Sequence, residues 1–266
     1  MLLVFILAAL CGGLGSLLGM GGGVFLIPAL TLLLHLPMKA TIAASALSVI
    51  AASSMAGALQ ASHQMTHLRL AMVMEIATTL GVLAGGLTAI WLVPYHLMIV
   101  FAAVTFLMAA VLVWPNRGGK SPAPTGTLDT AYLDHATDTA IPYGVRRLPW
   151  GLAGSFVAGN ISGLLGIGGG VIKVPLMTLV MGVPLKPAIA TSNFMVGITA
   201  AGSAMIYFQA GFIRPEIAVP AVLGVLLGSR LSTAWGVTLP PTVLRCLLVT
   251  VLVIVGVQML MRALRP

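Results

Sequence analysis

Apolar residues gather into ten blocks that are almost free of charge, at about 1–18, 24–35, 41–62, 70–93 and 95–114, then at about 149–165, 171–182, 188–210, 216–236 and 241–261. As a helix, a block of about 20 such residues matches a hydrocarbon layer roughly 30 Å thick. Only 7% of the 266 residues are charged against 59% hydrophobic, and the mean hydropathy is +1.10. A soluble domain carries about 25% charged residues. This chain cannot cover a water-facing surface, so lipid must be its solvent and the bilayer its first partner. The expected class is an all-α integral membrane protein with no separate soluble domain. Met1 to Leu18 lacks a basic leading region and reads as a retained helix rather than a cleaved address.

Two blocks are too short to cross. The runs beginning at Val24 and Val171 hold about a dozen residues, less than 20 Å of helix, and read as half-helices or re-entrant segments. They lie at matching places in an internal duplication. Gly19-Met-Gly-Gly-Gly-Val-Phe-Leu-Ile-Pro28 aligns with Gly166-Ile-Gly-Gly-Gly-Val-Ile-Lys-Val-Pro175 at an offset of 147, and the alignment runs ungapped to Ser45 and Ser192 with 13 identities in 27 positions. Gly81 to Gly85 resembles Gly224 to Gly228 after a four-residue shift. The expected organisation is an N-terminal membrane repeat over 1–114, a polar linker over 115–148 rich in Pro, Gly and Asp, and a C-terminal membrane repeat over 149–266. Duplicated halves with a broken helix in each mark a secondary transporter.

Charge chooses between two topologies. If the short runs dip and return, each half has four crossings and the repeats are parallel; if they cross, each half has five and the repeats are inverted. Four plus four places Arg69, Arg117, Lys120, Arg146, Arg147, Arg214, Arg262 and Arg265 on one side and only Lys39 and Lys186 on the other. Basic residues concentrate on the cytoplasmic side. Parallel repeats are therefore favoured, in a cell (inner) membrane with both termini and the linker cytoplasmic, and the inverted five-plus-five arrangement is the alternative.

The glycine breaks are the first candidates for binding. Gly21, Gly22 and Gly23, with Gly168, Gly169 and Gly170, let the backbone approach a ligand closely, and the helix ends that follow offer amides to an anion. Lys173 lies in an apolar run where the first repeat has Leu26, and an ammonium at membrane depth is a functional candidate by default. Ser45, Ser192 and Asn193 occupy matching positions in the next helices and would complete an oxyanion cradle; Asn160, Tyr207 and Gln209 are weaker. Lys39 and Lys186, each two residues after a proline, would guide anions or act as a gate. Arg230 reads equally as an anion ligand or a helix lock. Glu75 reads either as a proton-coupling carboxylate or as a partner of Arg69 or another base.

The net charge of +8 is spread over membrane edges, which excludes a nucleic-acid patch. His63 and His67 read as interfacial histidines rather than metal ligands, and Cys11 and Cys246 as small buried hydrophobes. No Walker, HExxH or GxSxG motif is present, so no catalytic residues, metal or cofactor are expected. A membrane-embedded enzyme using His63, His67 or Glu75 is the remote alternative.

The glycine motif at Gly166 to Pro175, its copy at Gly19 to Pro28, the Ala190-Thr-Ser-Asn193 stretch and Gly224 to Arg230 resemble the TauE/SafE family of membrane permeases, the sulfite exporters. The resemblance spans nearly the whole chain apart from the linker. It implies a carrier of sulfite or an organosulfonate, moved outward by alternating access without ATP. An uptake permease for a sulfonate, thiosulfate or another small anion has the same sequence features. Leu26 and Ala46 stand where the second repeat has Lys173 and Asn193, which puts more of the binding on the C-terminal half. A homodimer is allowed but not specified.

Overall fold

The computed structural model describes residues 1–113, 128–134, 139–236 and 241–264. Helix α1 (Leu2–Leu17) is followed by the short α2 (Gly23–Pro28), then by α3 (Met38–Ser62), α4 (Leu68–Trp91) and α5 (Pro94–Val113). The order recurs as α6 (Leu148–Leu165), the short α7 (Gly170–Pro175), α8 (Leu185–Gln209), α9 (Pro215–Gly236) and α10 (Pro241–Leu264). Among the described residues, α3, α4, α8 and the Pro215–Ser232 part of α9 are long and apolar enough to cross a membrane. The protein is an all-α membrane protein.

The two short runs are short for a stated reason. Pro28 and Pro175 lie inside α2 and α7, where each lacks the N–H that would bond the carbonyl four residues back. The backbone widens at once into π turns, Ala29–Leu33 and Leu176–Val180. At their other ends the capping residues Gly22 and Gly169 take left-handed φ of 83° and 75°, which a side chain would resist.

Lipid-facing stripes confirm the choice of solvent. Met72, Ile76, Leu80, Leu83 and Leu87 recur at helical spacing along α4, as do Val219, Leu223, Leu227 and Leu231 along α9, and all are exposed. Polar side chains point inward instead: Ser45, Ser48, Glu75, Thr78, Lys173, Ser192, Asn193 and Thr199 are buried. Cys11 is buried as expected, whereas Cys246 is exposed.

Helices pack across the halves rather than within them: α1 lies along α9, α4 along α6, α3 along α8 and α5 along α10. Small residues permit close approach. A Cβ on Gly81 would strike the Phe156 carbonyl, and one on Gly228 the Ala9 carbonyl; Gly159 sits over Thr78, and Gly12 over Val225. These pairs keep the offset of 147 without interruption. The spatial counterpart of Gly81 is thus Gly228, and the four-residue shift read from the sequence is corrected: local glycine spacing matched one turn out of packing register.

Contacts also fix direction. α4 and α8 run the same way, since Glu75 meets Thr199, Val82 meets Gly202, and Gly86 meets Ile206. α1 and α9 also run the same way, with Phe5 against Gly224, Ala9 against Gly228 and Ser16 against Ser229. α3 and α8 run opposite ways: Ser53 lies against Gly197, Gly57 against Phe194, and Gln60 reaches Asn193. Parallel repeats require these two counterparts to share a direction, and they do not.

The linker is not wholly irregular. Residues Thr130–Asp134 (β1) and Thr139–Tyr143 (β2) pair antiparallel, with Thr130 opposite Tyr143. Tyr132 and Tyr143 pack with Leu70, Met74, Met177, Met181 and Met195, so the hairpin covers the crevice between α4, α8 and the π turn after α7. Burial first, then neighbouring Tyr132, pushes the Tyr143 phenol above the usual tyrosine range. His67 fastens the hairpin: one ring nitrogen lies 2.7 Å from the Leu128 carbonyl, and the other accepts from the Leu70 amide at 3.3 Å. Linker residues 115–127 and 135–138 lie outside the described set.

Candidate functional site

The two glycine breaks meet at the centre of the molecule. Gly21 and Gly168 both close on Val49 and Val196, Gly23 abuts the Ile167 backbone, and Gly170 abuts Gly19 and Met20. Side chains from the opposite half then tie down the carbonyls where α1 and α6 end. Ser192 Oγ donates to the Gly19 carbonyl at 2.7 Å, and Ser45 Oγ donates to the Gly166 carbonyl at 3.1 Å, a reciprocal pair. Asn193 Nδ2 donates to the Ser16 carbonyl and to Gln60 Oε1, both at 2.9 Å. On the other side Tyr207 replaces this amide, donating to the Leu164 carbonyl at 2.9 Å. Gly21–Gly23, Gly168–Gly170, Ser45, Ser192 and Asn193 are thus brought together as the sequence expects. Their donors are committed to carbonyls in this conformation, and among the described residues buried Asn193 Oδ1 has no partner.

Lys173 is fully buried, so its ammonium does not reach an interface. Its Nζ lies 3.0 Å from Glu75 Oε2 and donates to Thr199 Oγ1 at 2.6 Å; Thr199 Oγ1 donates to Glu75 Oε1 at 2.6 Å. Glu75 therefore pairs with Lys173 and not with Arg69, because α4 and α7 converge on the same side of α8. Removing two charges from water costs several kcal/mol per ion, and the pair repays that only when the remaining polar atoms are satisfied. Thr199 supplies that satisfaction on both sides.

Sequence reasoning does not single out Thr199. The signal lies in the duplication: its counterpart is Ala52, the counterpart of Lys173 is Leu26, and that of Glu75 is Val222. The duplicated positions are polar in one set and apolar in the other.

The remaining candidates lie elsewhere. Lys39 donates to the Ile90 carbonyl at 2.7 Å near the end of α4 and stands over the Phe212 ring at 5.2 Å, a tether at a helix C-terminus where a cation is favourable. Lys186 is half-buried at the start of α8. Arg230 is exposed on α9 and is not brought to the centre. Arg262 donates to His35 Nδ1 at 2.9 Å in an open basin of about 990 Å³ that Tyr95, Met98 and Gln258 also line.

The arrangement is thus two broken helices, donors from opposite halves at their ends and one buried ion pair. The family model described as Sulfite exporter TauE/SafE matches residues 4–259. The chain belongs to the TauE/SafE family. Similar proteins include the probable membrane transporter protein YunE of Bacillus subtilis (strain 168), 23% identical over 97% of this chain and 96% of that protein. The probable membrane transporter protein YdhB of the same organism is 24% identical over 97% of this chain and all of that one. Sulfite exporter TauE/SafE family protein 5 of Arabidopsis thaliana is 29% identical over 50% of this chain and 29% of its own length. No solved structure matches the chain. TauE/SafE membership and relatives named as transporters make this chain a probable membrane transporter of a small molecule, set in lipid by its apolar helices.

Proposed function

We propose that the chain moves a small sulfur-containing anion, sulfite or an organosulfonate, outward across the inner membrane by alternating access. The observation that carries this reading is Lys173, a fully buried ammonium three residues beyond a glycine break. Ser45, Ser192 and Asn193 now hold carbonyls of the opposite half. Exchanging those carbonyls for oxyanion oxygens would loosen one half from the other, which links binding to rocking. The test is uptake and efflux of radiolabelled sulfite and of sulfoacetate in proteoliposomes, with opposed substrate gradients. Wild type should carry at least one of them and Lys173→Ala should abolish the flux. Unchanged flux in a correctly folded Lys173→Ala protein removes the site, and no flux of either compound in wild type removes the sulfur assignment.

The helix directions support inverted five-plus-five repeats, with the linker and the termini on opposite sides. Bases at the membrane edges then divide as Arg69, Arg117, Lys120, Arg146, Arg147 and Lys186 against Lys39, Arg214, Arg262 and Arg265, which favours a cytoplasmic linker. A membrane-impermeant thiol reagent applied from outside should label Leu264→Cys and spare Thr130→Cys. Labelling of both, or of neither, would restore the parallel arrangement.

A further inference from the structure

We infer that the Lys173, Glu75 and Thr199 cluster is a single-copy coupling site that carries one proton with each singly charged anion, so that transport is electroneutral. This rests on the anion-carrier reading above. The argument starts from the duplication. At the offset of 147 the counterparts are Leu26, Val222 and Ala52, of which Leu26 and Ala52 are fully buried, so the duplicated positions carry no charge. An ion pair kept at one set of duplicated positions, where the counterpart set is apolar, is not there for packing, because a buried pair adds little stability over apolar residues of similar volume.

The contacts say how it works. At rest the cluster is neutral, with the ammonium of Lys173 facing the carboxylate of Glu75 at 3.0 Å. An anion arriving at Nζ while Glu75 stays ionised would leave two negative charges beside one positive charge in a site closed to water, which is strongly disfavoured. If a proton from the side of entry adds to Glu75 Oε2, the carboxyl becomes neutral, the Nζ–Oε2 pair opens, and the freed Nζ–H bonds an anion oxygen. The total charge is again zero. On release the anion leaves Nζ, the proton leaves Glu75 for water on the far side, and the pair re-forms. Thr199 is the positioning residue. Its hydroxyl now donates to Glu75 Oε1, and the Met195 carbonyl, 3.1 Å away, is a second acceptor to which it turns when the carboxylate is neutralised.

Among the described residues, Lys173 is the one charged group that touches the Glu75 carboxylate. Other titratable groups on the elements packed around it are His67 and Arg69 at the start of α4, Lys186 and Tyr207 on α8, Tyr95 and His96 on α5, and Tyr132 and Tyr143 of the hairpin; α6 carries none.

The probe is radiolabelled methanesulfonate, which stays singly charged across the working pH range, in proteoliposomes whose voltage is set with potassium and valinomycin. Wild type should accumulate it about tenfold for each pH unit of inside-alkaline gradient, with no accumulation driven by voltage alone. Glu75→Gln, close to isosteric, should lose accumulation under the pH gradient while still exchanging labelled for unlabelled anion. Thr199→Val removes a donor to the Glu75 carboxylate and should reach the same initial rate at a less acidic entry side, a shift in pH profile that a merely structural residue would not give. Accumulation that follows voltage, or Glu75→Gln accumulating like wild type, overturns the inference. Sulfite flux without methanesulfonate accumulation under the gradient also overturns it and leaves the carrier reading standing; flux of neither removes the carrier reading itself.

Discussion

Glu75→Val made alone should destabilise the purified protein by about 3–5 kcal/mol, and adding Lys173→Leu and Thr199→Ala should recover most of that loss. The single change leaves the Lys173 ammonium fully buried with only the Thr199 hydroxyl beside it. The triple change gives these positions the residues of their counterparts at the offset of 147, Leu26, Val222 and Ala52. Thermal unfolding in detergent, followed by loss of monodisperse protein, reads both. A triple variant as unstable as the single one would show that the cluster is a structural brace, and would withdraw the argument that the charges are kept for transport. A stable triple variant that carries no anion is the expected result.

Gly85→Leu and Gly228→Leu should each prevent recovery of folded protein, while Leu83→Ala on the lipid face of α4 should be nearly silent. A Cβ at Gly85 would occupy the place of the Asn160 carbonyl, and one at Gly228 that of the Ala9 carbonyl. Backbone cannot step aside as a flexible side chain does, so α4 would separate from α6, or α9 from α1. Overpacking within a core costs about 1–3 kcal/mol when side chains yield. Here the loss should exceed that range, because helices joined through close backbone contact in lipid have no hydrophobic drive to hold them otherwise. Size-exclusion profiles of the three variants give the answer. Monodisperse Gly85→Leu protein would mean that the α4–α6 contact is looser than described.

Much of the site is legible in the amino-acid sequence. The glycine motif predicts the breaks, and the breaks are present with left-handed glycines at both caps. Ser45, Ser192 and Asn193 are expected near them and are near them, yet their partners are carbonyls of the other half. A sequence shows that a hydroxyl stands beside a loop; it does not show which of two acceptors the hydroxyl faces. Arg230 departs from expectation for a similar reason. Its charge inside an apolar run suggests the interior, but it follows Ser229 on the α9 face that turns away from the core. Thr199 escapes notice because one threonine in a long helix most often bonds its own backbone, as this one also does.

The sequence by itself determined the solvent, the duplication and the position of both broken helices, because each is written in local composition or in residues a few places apart. Tertiary structure alone decided that Glu75 answers Lys173 across 98 positions of chain, that Thr199 bridges them, and that α3 and α8 run in opposite directions. Counting basic residues could not reach the last point. Loop charges report only which side of the membrane they occupy once the crossings are known, whereas helix direction is set by which small residues let two backbones touch.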